Sequence, residues 1–126
     1  VVAEKFQVMV SRGIVNSRLK DYHDLWMLTE RFDFDGQVLQ TAIEYTFARR
    51  MTIIPSAIPE GLGKTFYENP AKQMQWNAFL RRAGFARLEL PAVVGRLVEF
   101  MRPIIERKAK GLCWDSKKKA WKGSDN

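Results

Sequence analysis

Apolar residues recur along most of the chain at the three- and four-residue spacing that is typical of amphipathic helices. Val2, Phe6, Met9 and Val10 follow this spacing and predict a first helix, which Gly13 can end. Runs of strict alternation, the mark of half-buried strands, are nearly absent from the sequence. The predicted fold class is therefore all-α, a bundle of about five helices.

The second and third helices are predicted from about Arg18 to Arg31 and from Gly36 to about Arg50. Asn16 or Ser17 would cap the second helix, and Asp33 or Asp35, in the turn between the two helices, would begin the third. The buried stripe of the second helix is predicted to hold Leu19, Tyr22, Leu25 or Thr29, Trp26, Leu28 and Phe32. That of the third is predicted to hold Val38, Leu39, Ala42, Ile43, Tyr45, Phe47 and Met51.

The segment from Thr52 to Gly63 is predicted to be an ordered surface loop, because its prolines and glycines exclude regular structure. Its apolar anchors would be Ile53, Ile54 and Ile58. The pair Asn69-Pro70 predicts the start of a fourth helix that ends at Gly84, since asparagine caps well and proline fits the first helical position. The core-facing residues of that helix are predicted to be Met74, Trp76, Phe79 and Leu80.

A fifth helix is predicted from Pro91 to about Lys110, with a kink or a break at Pro103. Beyond Gly111 the sequence becomes rich in lysine. We therefore divide the chain into a helical bundle domain, 1–111, and a basic, tryptophan-containing tail, 112–126. The chain opens directly into a helical pattern without a cap, as expected of a fragment.

Composition and charge limit the class of protein. The 126 residues fit one domain, and a net charge of +7 favours polyanionic partners such as RNA or nucleotides. No apolar run reaches membrane-spanning length, because charged residues interrupt the best candidate, Ala92 to Ile105. The single cysteine, Cys113, cannot form an internal disulfide. These features predict a cytoplasmic protein with no membrane partner.

The densest cluster of charged residues is the run from Asn16 to Trp26, which places Arg18, Lys20, Asp21 and Asp24 at the start of the second helix. Asp21 and Asp24 are three residues apart and so share one helix face. On the pattern alone, the acids are best explained by the helix dipole and by a Lys20–Asp24 pair. The neighbouring His23 is the only histidine, and such a residue is more often packed than catalytic.

A resemblance to a known family changes this interpretation. Ala3-Glu4-Lys5-Phe6 and the run from Asn16 to Trp26 resemble the downstream motif of the AbiEii/AbiGii nucleotidyltransferase-like toxins of type IV toxin–antitoxin systems. The family's upstream signature, a Gly-Ser pair followed by a metal-binding Asp-x-Asp, does not occur in these residues. The chain thus resembles the C-terminal helical part of such a toxin. The likeness continues through Phe32–Gly36, Pro70–Trp76 and Phe79–Arg82 to Trp114 and Trp121.

The resemblance implies transfer of a nucleotide from a ribonucleoside triphosphate to an RNA acceptor such as tRNA. Asp21 would complete the site beside the metal-binding pair, and Lys5 would contact the triphosphate. Arg18 and Lys20 would hold phosphate oxygens, and Asp24 would orient its neighbours. This interpretation requires Lys5 and Asp21 to converge on one open surface.

The resemblance also implies the partners and the cofactors. Mg²⁺ and the nucleoside triphosphate belong to the full-length enzyme, whereas no metal site is expected within this chain alone. The missing N-terminal catalytic domain, the RNA substrate and a cognate antitoxin are the implied partners, although the antitoxin need not touch the toxin. Without that domain, the chain is expected to be inactive.

An alternative function is a non-catalytic helical module that binds RNA or a protein through its basic tail. Trp114 and Trp121 bracket Lys117, Lys118 and Lys119, an arrangement that is able to stack bases and contact phosphates. The competing interpretation is that the tryptophans pack on the bundle while the lysines stay solvated.

Overall fold

Six α-helices and a small sheet make up the part of the chain that the computed structural model describes, residues 1–14 and 18–123. The helices are α1 (Val2–Arg12), α2 (Leu19–Arg31), α3 (Gly36–Arg49), α4 (Lys64–Tyr67), α5 (Pro70–Ala83) and α6 (Leu90–Ile105). A 3-10 turn occupies Glu60–Leu62, and the strands are β1 (Phe34–Asp35), β2 (Leu112–Asp115) and β3 (Ala120–Gly123). The mainly helical prediction is confirmed, but the strictly all-α prediction is wrong.

Helix α6 lies at the centre of the core. Val93, Val94, Leu97, Phe100 and Ile104 are all fully or almost fully buried, as are Leu90, Met101 and Ile105 of the same helix. It packs against α2, α3 and α4. Burial of each large apolar side chain is worth about 1.5–3 kcal/mol, so this helix supplies much of the stabilisation.

The predicted basic tail is a β-hairpin in its described part. β2 pairs antiparallel with β3, with Trp114 opposite Trp121, and β2 also pairs with β1. The Trp114 indole N–H donates to the Thr29 carbonyl at 2.9 Å, and that of Trp121 donates to the Phe100 carbonyl at 3.0 Å. These bonds tie the hairpin to α2 and α6. A domain boundary at residue 111 stays a prediction.

The predicted helix ends agree with the structure where capping residues mark them. Asn69 accepts from the Lys72 amide at 3.1 Å at the start of α5, and Gly84 ends that helix in the left-handed conformation. Asp35 caps α3 by accepting from the Val38 amide at 3.0 Å. The proposed caps of the second helix, Asn16 and Ser17, lie outside the described residues.

The last helix differs from its prediction. It runs from Leu90 to Ile105 and therefore stops well before Lys110. Pro103 does not split it, since the proline lies inside its last turn. The chain then leaves the helical path, with Arg107 at a positive φ of 59°.

Several residues predicted to face the core are exposed instead. In α3 only one of two apolar stripes is buried, that of Leu39, Ile43 and Phe47. The predicted anchor of the Thr52–Gly63 loop, Ile53, points into solvent, whereas Ile54 and Ile58 pack against the core. The other residues that the sequence predicted to face the core but that are exposed are Phe32, Val38, Ala42, Tyr45, Met51 and Met74.

Candidate functional site

Lys5 of α1 meets Asp21 and Asp24 of α2 where the two helices pack together. The Lys5 ammonium lies 3.0 Å from Asp21 Oδ1 and 2.9 Å from Asp24 Oδ2. The three-residue spacing of the acids puts both carboxylates on the helix face that α1 approaches. Lys5 and Asp21 therefore converge by pairing with each other, but Asp21 is buried and does not lie on the open surface that the sequence interpretation requires.

Arg18 and Lys20 extend this arrangement outward. Arg18 Nε lies 3.4 Å from Asp21 Oδ2, and Lys20 Nζ lies 2.9 Å from Asp24 Oδ2. Both of these cationic side chains are more than half exposed. We call Lys5, Arg18, Lys20, Asp21 and Asp24 the acid–base cluster, which holds three cations against two carboxylates and carries a net positive charge.

Burial increases from the rim of the cluster to its base. The Asp21 residue is 4% exposed, whereas the Lys5 and Asp24 side chains keep about a quarter of their surface accessible. Partial burial opposes the charge on Lys5, but hydrogen bonds to Asp24 and Asp21 outweigh it and raise the pKa of the ammonium. Burial likewise opposes the charge on Asp24, yet bonds from Lys20 and Lys5 lower its pKa. Lys5 and Asp24 are thus held ionised at neutral pH.

The carboxylates of the cluster do not by themselves fit a Mg²⁺ site. Mg²⁺ binds in proteins through carboxylates and waters in near-ideal octahedral geometry. Within residues 1–14 and 18–123, no group of three or more His, Cys, Asp or Glu residues could hold a metal ion. Asp21 and Asp24 each direct an oxygen at Lys5. A Mg²⁺ ion bound here would need ligands beyond these two carboxylates.

A hollow of about 230 Å³ opens beside Lys5 and Asp24. Arg31 and Phe32 form part of its wall, together with Val1, Met27 and Leu28. It adjoins a larger groove of about 900 Å³ between the start of α1, the end of α2 and the outer face of α3. The sequence did not predict this groove, although the second apolar stripe of α3 was a signal for it.

His23 lies next to the cluster in sequence but packs into a different environment. Its ring stacks on Phe85 at 3.9 Å between centroids, and Trp26, Trp76 and Phe79 surround it. Its Nδ1 is buried without a hydrogen-bond partner. Burial lowers the pKa of the imidazole despite the opposing charge of Asp24. His23 is therefore packed within a cluster of aromatic rings.

The residues proposed for nucleic-acid contacts lie near the other end of α2. Trp114 is fully buried and packs on the bundle, so its ring is not accessible to a base in this structure, and its role in base stacking stays a prediction. Trp121 is half-buried and stacks on Phe100. Lys117 and Lys118 are exposed, whereas Lys119 bonds to the Ser116 carbonyl and pairs with Glu30. Trp114 bonds Thr29, about 12 Å along the helix from Asp21.

Comparison with known proteins identifies the family. The model of the nucleotidyl transferase AbiEii toxin, of type IV toxin–antitoxin systems, matches residues 1–99. The chain belongs to this family. The match includes the acid–base cluster and most of α6, and it ends before the hairpin. Neither the curated proteins nor the solved structures gave a match.

Membership of the AbiEii family confirms the resemblance, and it implies an antitoxin as a partner. The roles that the family resemblance assigns to Lys5, Asp21, Arg18, Lys20 and Asp24 stay predictions. In the described part of this AbiEii chain, no helix is long and apolar enough to cross a membrane.

Proposed function

We propose that this AbiEii chain is the helical part of a toxin that transfers a nucleotide from a nucleoside triphosphate to an RNA acceptor. An N-terminal catalytic domain would supply the Gly-Ser and Asp-x-Asp elements. The observation that carries the proposal is the Lys5 ammonium, which two carboxylates hold at an open surface within the family-matched region.

Lys5 is suited to binding a triphosphate. An ammonium has three N–H donors, and the bonds to Asp21 and Asp24 use two of them. One donor thus remains for a phosphate oxygen, and its direction is fixed because two acceptors orient the group. Arg18 and Lys20 stand on the same face and add positive charge for the remaining phosphate oxygens.

Asp21 has two functions in this proposal. It positions the Lys5 ammonium, and it stands beside the metal-binding carboxylates of the catalytic domain. Mg²⁺ would be held chiefly by that domain, because the cluster does not form a metal site by itself. Asp24 orients Lys5 and Lys20, which both bond to its Oδ2 atom.

Nucleotide binding tests the role of Lys5. The polypeptide that combines this chain with its catalytic domain would be titrated with each of the four ribonucleoside triphosphates in the presence of Mg²⁺. We expect Lys5→Met to weaken binding about tenfold, because a charge-assisted hydrogen bond is lost. Lys64→Met, an exposed lysine on α4, is the matched control and should bind as the unchanged protein does. Equal affinities for the two variants would refute the role of Lys5.

A second candidate function, an RNA-binding module, is favoured by one observation at the hairpin. Asp115 Oδ1 accepts from the backbone amides of Lys117 and Lys118 at 2.9 and 3.2 Å, which fixes the turn that presents these lysines. If the hairpin drives RNA binding, the double change Lys117→Ala and Lys118→Ala would weaken binding and flatten its salt dependence. Nucleotide binding at Lys5 would be unaffected.

A further inference from the structure

Helix α3 carries a second line of apolar residues beside the one that packs in the core. Val38, Ala42 and Tyr45 are exposed, at the alternating four- and three-residue spacing of helices that pack along each other. Val38 and Tyr45 keep about two thirds of their surface accessible. At 3.6 residues per turn, this line lies about a third of a turn from the buried stripe. A helix that is apolar on two sides is typical of one that is covered on both.

A charged residue continues this line at each end, and the two charges have opposite signs. Asp35 lies three residues before Val38, and Arg49 lies four residues after Tyr45. Both charged side chains are exposed, and none of the ion pairs among the described residues includes either of them. We call Asp35, Val38, Ala42, Tyr45 and Arg49 the outer seam. It is acidic at its N-terminal end, apolar in the middle and basic at its C-terminal end.

The outer seam is complementary to its own reverse. Asp35 and Arg49 each lie seven residues from Ala42, which is therefore the midpoint. A second α3 that runs antiparallel about a two-fold axis at Ala42 would face each Asp35 with Arg49 of the other copy. It would also bring Val38 of one copy beside Tyr45 of the other. The small side chain of alanine at the crossing point allows two helix backbones to approach closely.

The groove along α3 provides the space for a second helix. Val38, Ala42 and Tyr45 line it on one side, and the start of α1 and Phe32 at the end of α2 line it on the other. Phe32 is itself 55% exposed. Single exposed apolar residues are ordinary on protein surfaces, but a contiguous apolar groove marks an interaction site. Amphipathic helices bind in such grooves through residues at the spacing of the outer seam.

The other charged residues of the groove have partners within the chain. Glu4 pairs with the N-terminal amino group at 2.8 Å, and Arg50 donates to the Gln7 side chain at 2.8 Å. Asp33 accepts from the Ser116 amide, also at 2.8 Å. The charges of this groove that are free to pair with a second molecule are therefore, among the described residues, the two ends of the outer seam.

We propose that the outer seam is a homodimer interface, in which α3 of two copies of this chain pack antiparallel about a two-fold axis. Such an interface places the same patch on both partners, so the patch must complement itself. The charged ends form two Asp35–Arg49 pairs in this arrangement, whereas a parallel one would set like charges against each other. The inference is independent of the proposed function, because it uses no residue of the acid–base cluster.

The net charge of the chain does not prevent this association. Two copies with a charge of +7 each repel at long range. At physiological ionic strength, however, salt screens charges over about 8 Å, so the contacts within the interface decide its stability. Association is therefore measured at that ionic strength.

Oxidative cross-linking tests the geometry of the interface. In a Cys113→Ser background, Ala42→Cys would place two thiols at the two-fold axis, within reach of a disulfide. Met74→Cys, at an exposed position on α5, is the matched control. We expect Ala42→Cys to form a covalent dimer at least about tenfold faster than Met74→Cys at the same protein concentration, because association raises the effective concentration of the thiols.

Sedimentation equilibrium tests the charge pairs. Arg49→Glu would set like charges against each other at both ends of the interface, and it should raise the dissociation constant of the dimer at least about tenfold. Arg82→Glu, at an exposed position on α5, changes the net charge equally and should leave the dissociation constant nearly unchanged. Circular dichroism would confirm that both variants are folded.

Four results would overturn the inference. The first is a chain that remains monomeric at about 1 mM, and the second is equal cross-linking of Ala42→Cys and Met74→Cys. The third is a dimer that Arg49→Glu weakens no more than Arg82→Glu does, which would assign the contact to another surface. The fourth is a dimer of this chain that is lost in the polypeptide with the proposed catalytic domain, which would assign the groove to that domain.

Discussion

At the residue scale, one ammonium holds two carboxylates together. Lys5 bonds to Asp21 and Asp24. Asp21 is the more buried of the two acids. Among the ion pairs of the described residues, its only other cationic partner is the partly exposed Arg18. Without Lys5, a nearly buried carboxylate would lose its main partner. The same contact therefore contributes to stability as well as to the proposed nucleotide site.

The change Lys5→Met should lower the free energy of unfolding of this chain by about 1–3 kcal/mol, because it leaves Asp21 buried without its partner. Urea unfolding followed by circular dichroism measures the effect. Lys20→Met, at an exposed pair, should change stability by only about 0.5 kcal/mol. The double variant Lys5→Met with Asp21→Asn should recover part of the loss. This account would be contradicted if the Lys5→Met variant were as stable as the unchanged protein.

His23 should make stability depend on pH in a defined window. Burial lowers the pKa of its imidazole below the ordinary 6.5, so the unfolded chain binds the proton more readily than the folded one. Stability from this residue is complete above pH 6.5 and is lost as the pH falls below that value. Unfolding midpoints in urea between pH 8 and pH 5 would reveal the fall.

The change His23→Phe is the control for this pH dependence, since it keeps a ring against Phe85 without a titrating group. Because His23 is the only histidine, the variant should show little change in stability across the same window. An unaltered pH profile in His23→Phe would assign the effect to other groups.

At the element scale, the sequence predicted helices better than strands. The helix ends at Gly13 and Gly84 and the caps at Asn69 and Asp35 follow from local backbone chemistry, and all agree with the structure. β1 has two residues and β2 and β3 have four each, too few for an alternating pattern to be visible. Their pairing depends on contacts distant in sequence, such as Phe34 with Trp114.

The junction of α3 with the segment before β2 depends on a glycine. A Cβ atom on Gly36 would lie 2.0 Å from the Ala109 carbonyl oxygen and 2.8 Å from that of Leu112. Gly36→Ala should therefore force the backbone apart and cost about 2–4 kcal/mol, within the range of severe core overpacking. Thermal unfolding would measure this loss of stability.

Gly95 provides the matched control within α6, because an added Cβ there meets nothing within 4 Å. Gly95→Ala should be neutral or should stabilise the protein by about 0.5–1 kcal/mol, since alanine favours the helix. Equal effects at Gly36 and Gly95 would show that the α3 junction is not tightly packed.

The hairpin should depend on Trp114 far more than on its lysines. Trp114→Ala removes a fully buried ring and its bond to Thr29, with an expected loss of about 3–5 kcal/mol. The double change Lys117→Ala and Lys118→Ala, at exposed positions, should shift stability by only about 0.5 kcal/mol. Near-ultraviolet circular dichroism and urea unfolding would compare the effect of Trp114→Ala with that of the double lysine change. A small effect of Trp114→Ala would contradict the anchoring role.

At the scale of the whole molecule, the sequence located the acid–base cluster but not the groove beside it. The motif around Lys5 and Asp21 is short and lies within the family-matched region, and the roles of its residues stay predictions. The groove depends on which apolar stripe of α3 turns inward, and periodicity alone does not distinguish two stripes on one helix. Packing against α1 decides which stripe of α3 turns inward, because α1 covers part of α3 and leaves Val38 and Tyr45 exposed.

The measurement that tests the central claim most directly is nucleotide transfer by the polypeptide that joins this chain to the proposed catalytic domain. Incorporation of α-phosphate-labelled nucleotides into RNA would be compared for the unchanged protein, Asp21→Asn, Lys5→Met and the control Lys64→Met. The account predicts that the first two variants lose at least about a hundredfold in kcat/KM, as when a charged active-site contact is removed, and that Lys64→Met keeps full activity. Transfer that proceeds unchanged without Lys5 and Asp21 would contradict the account.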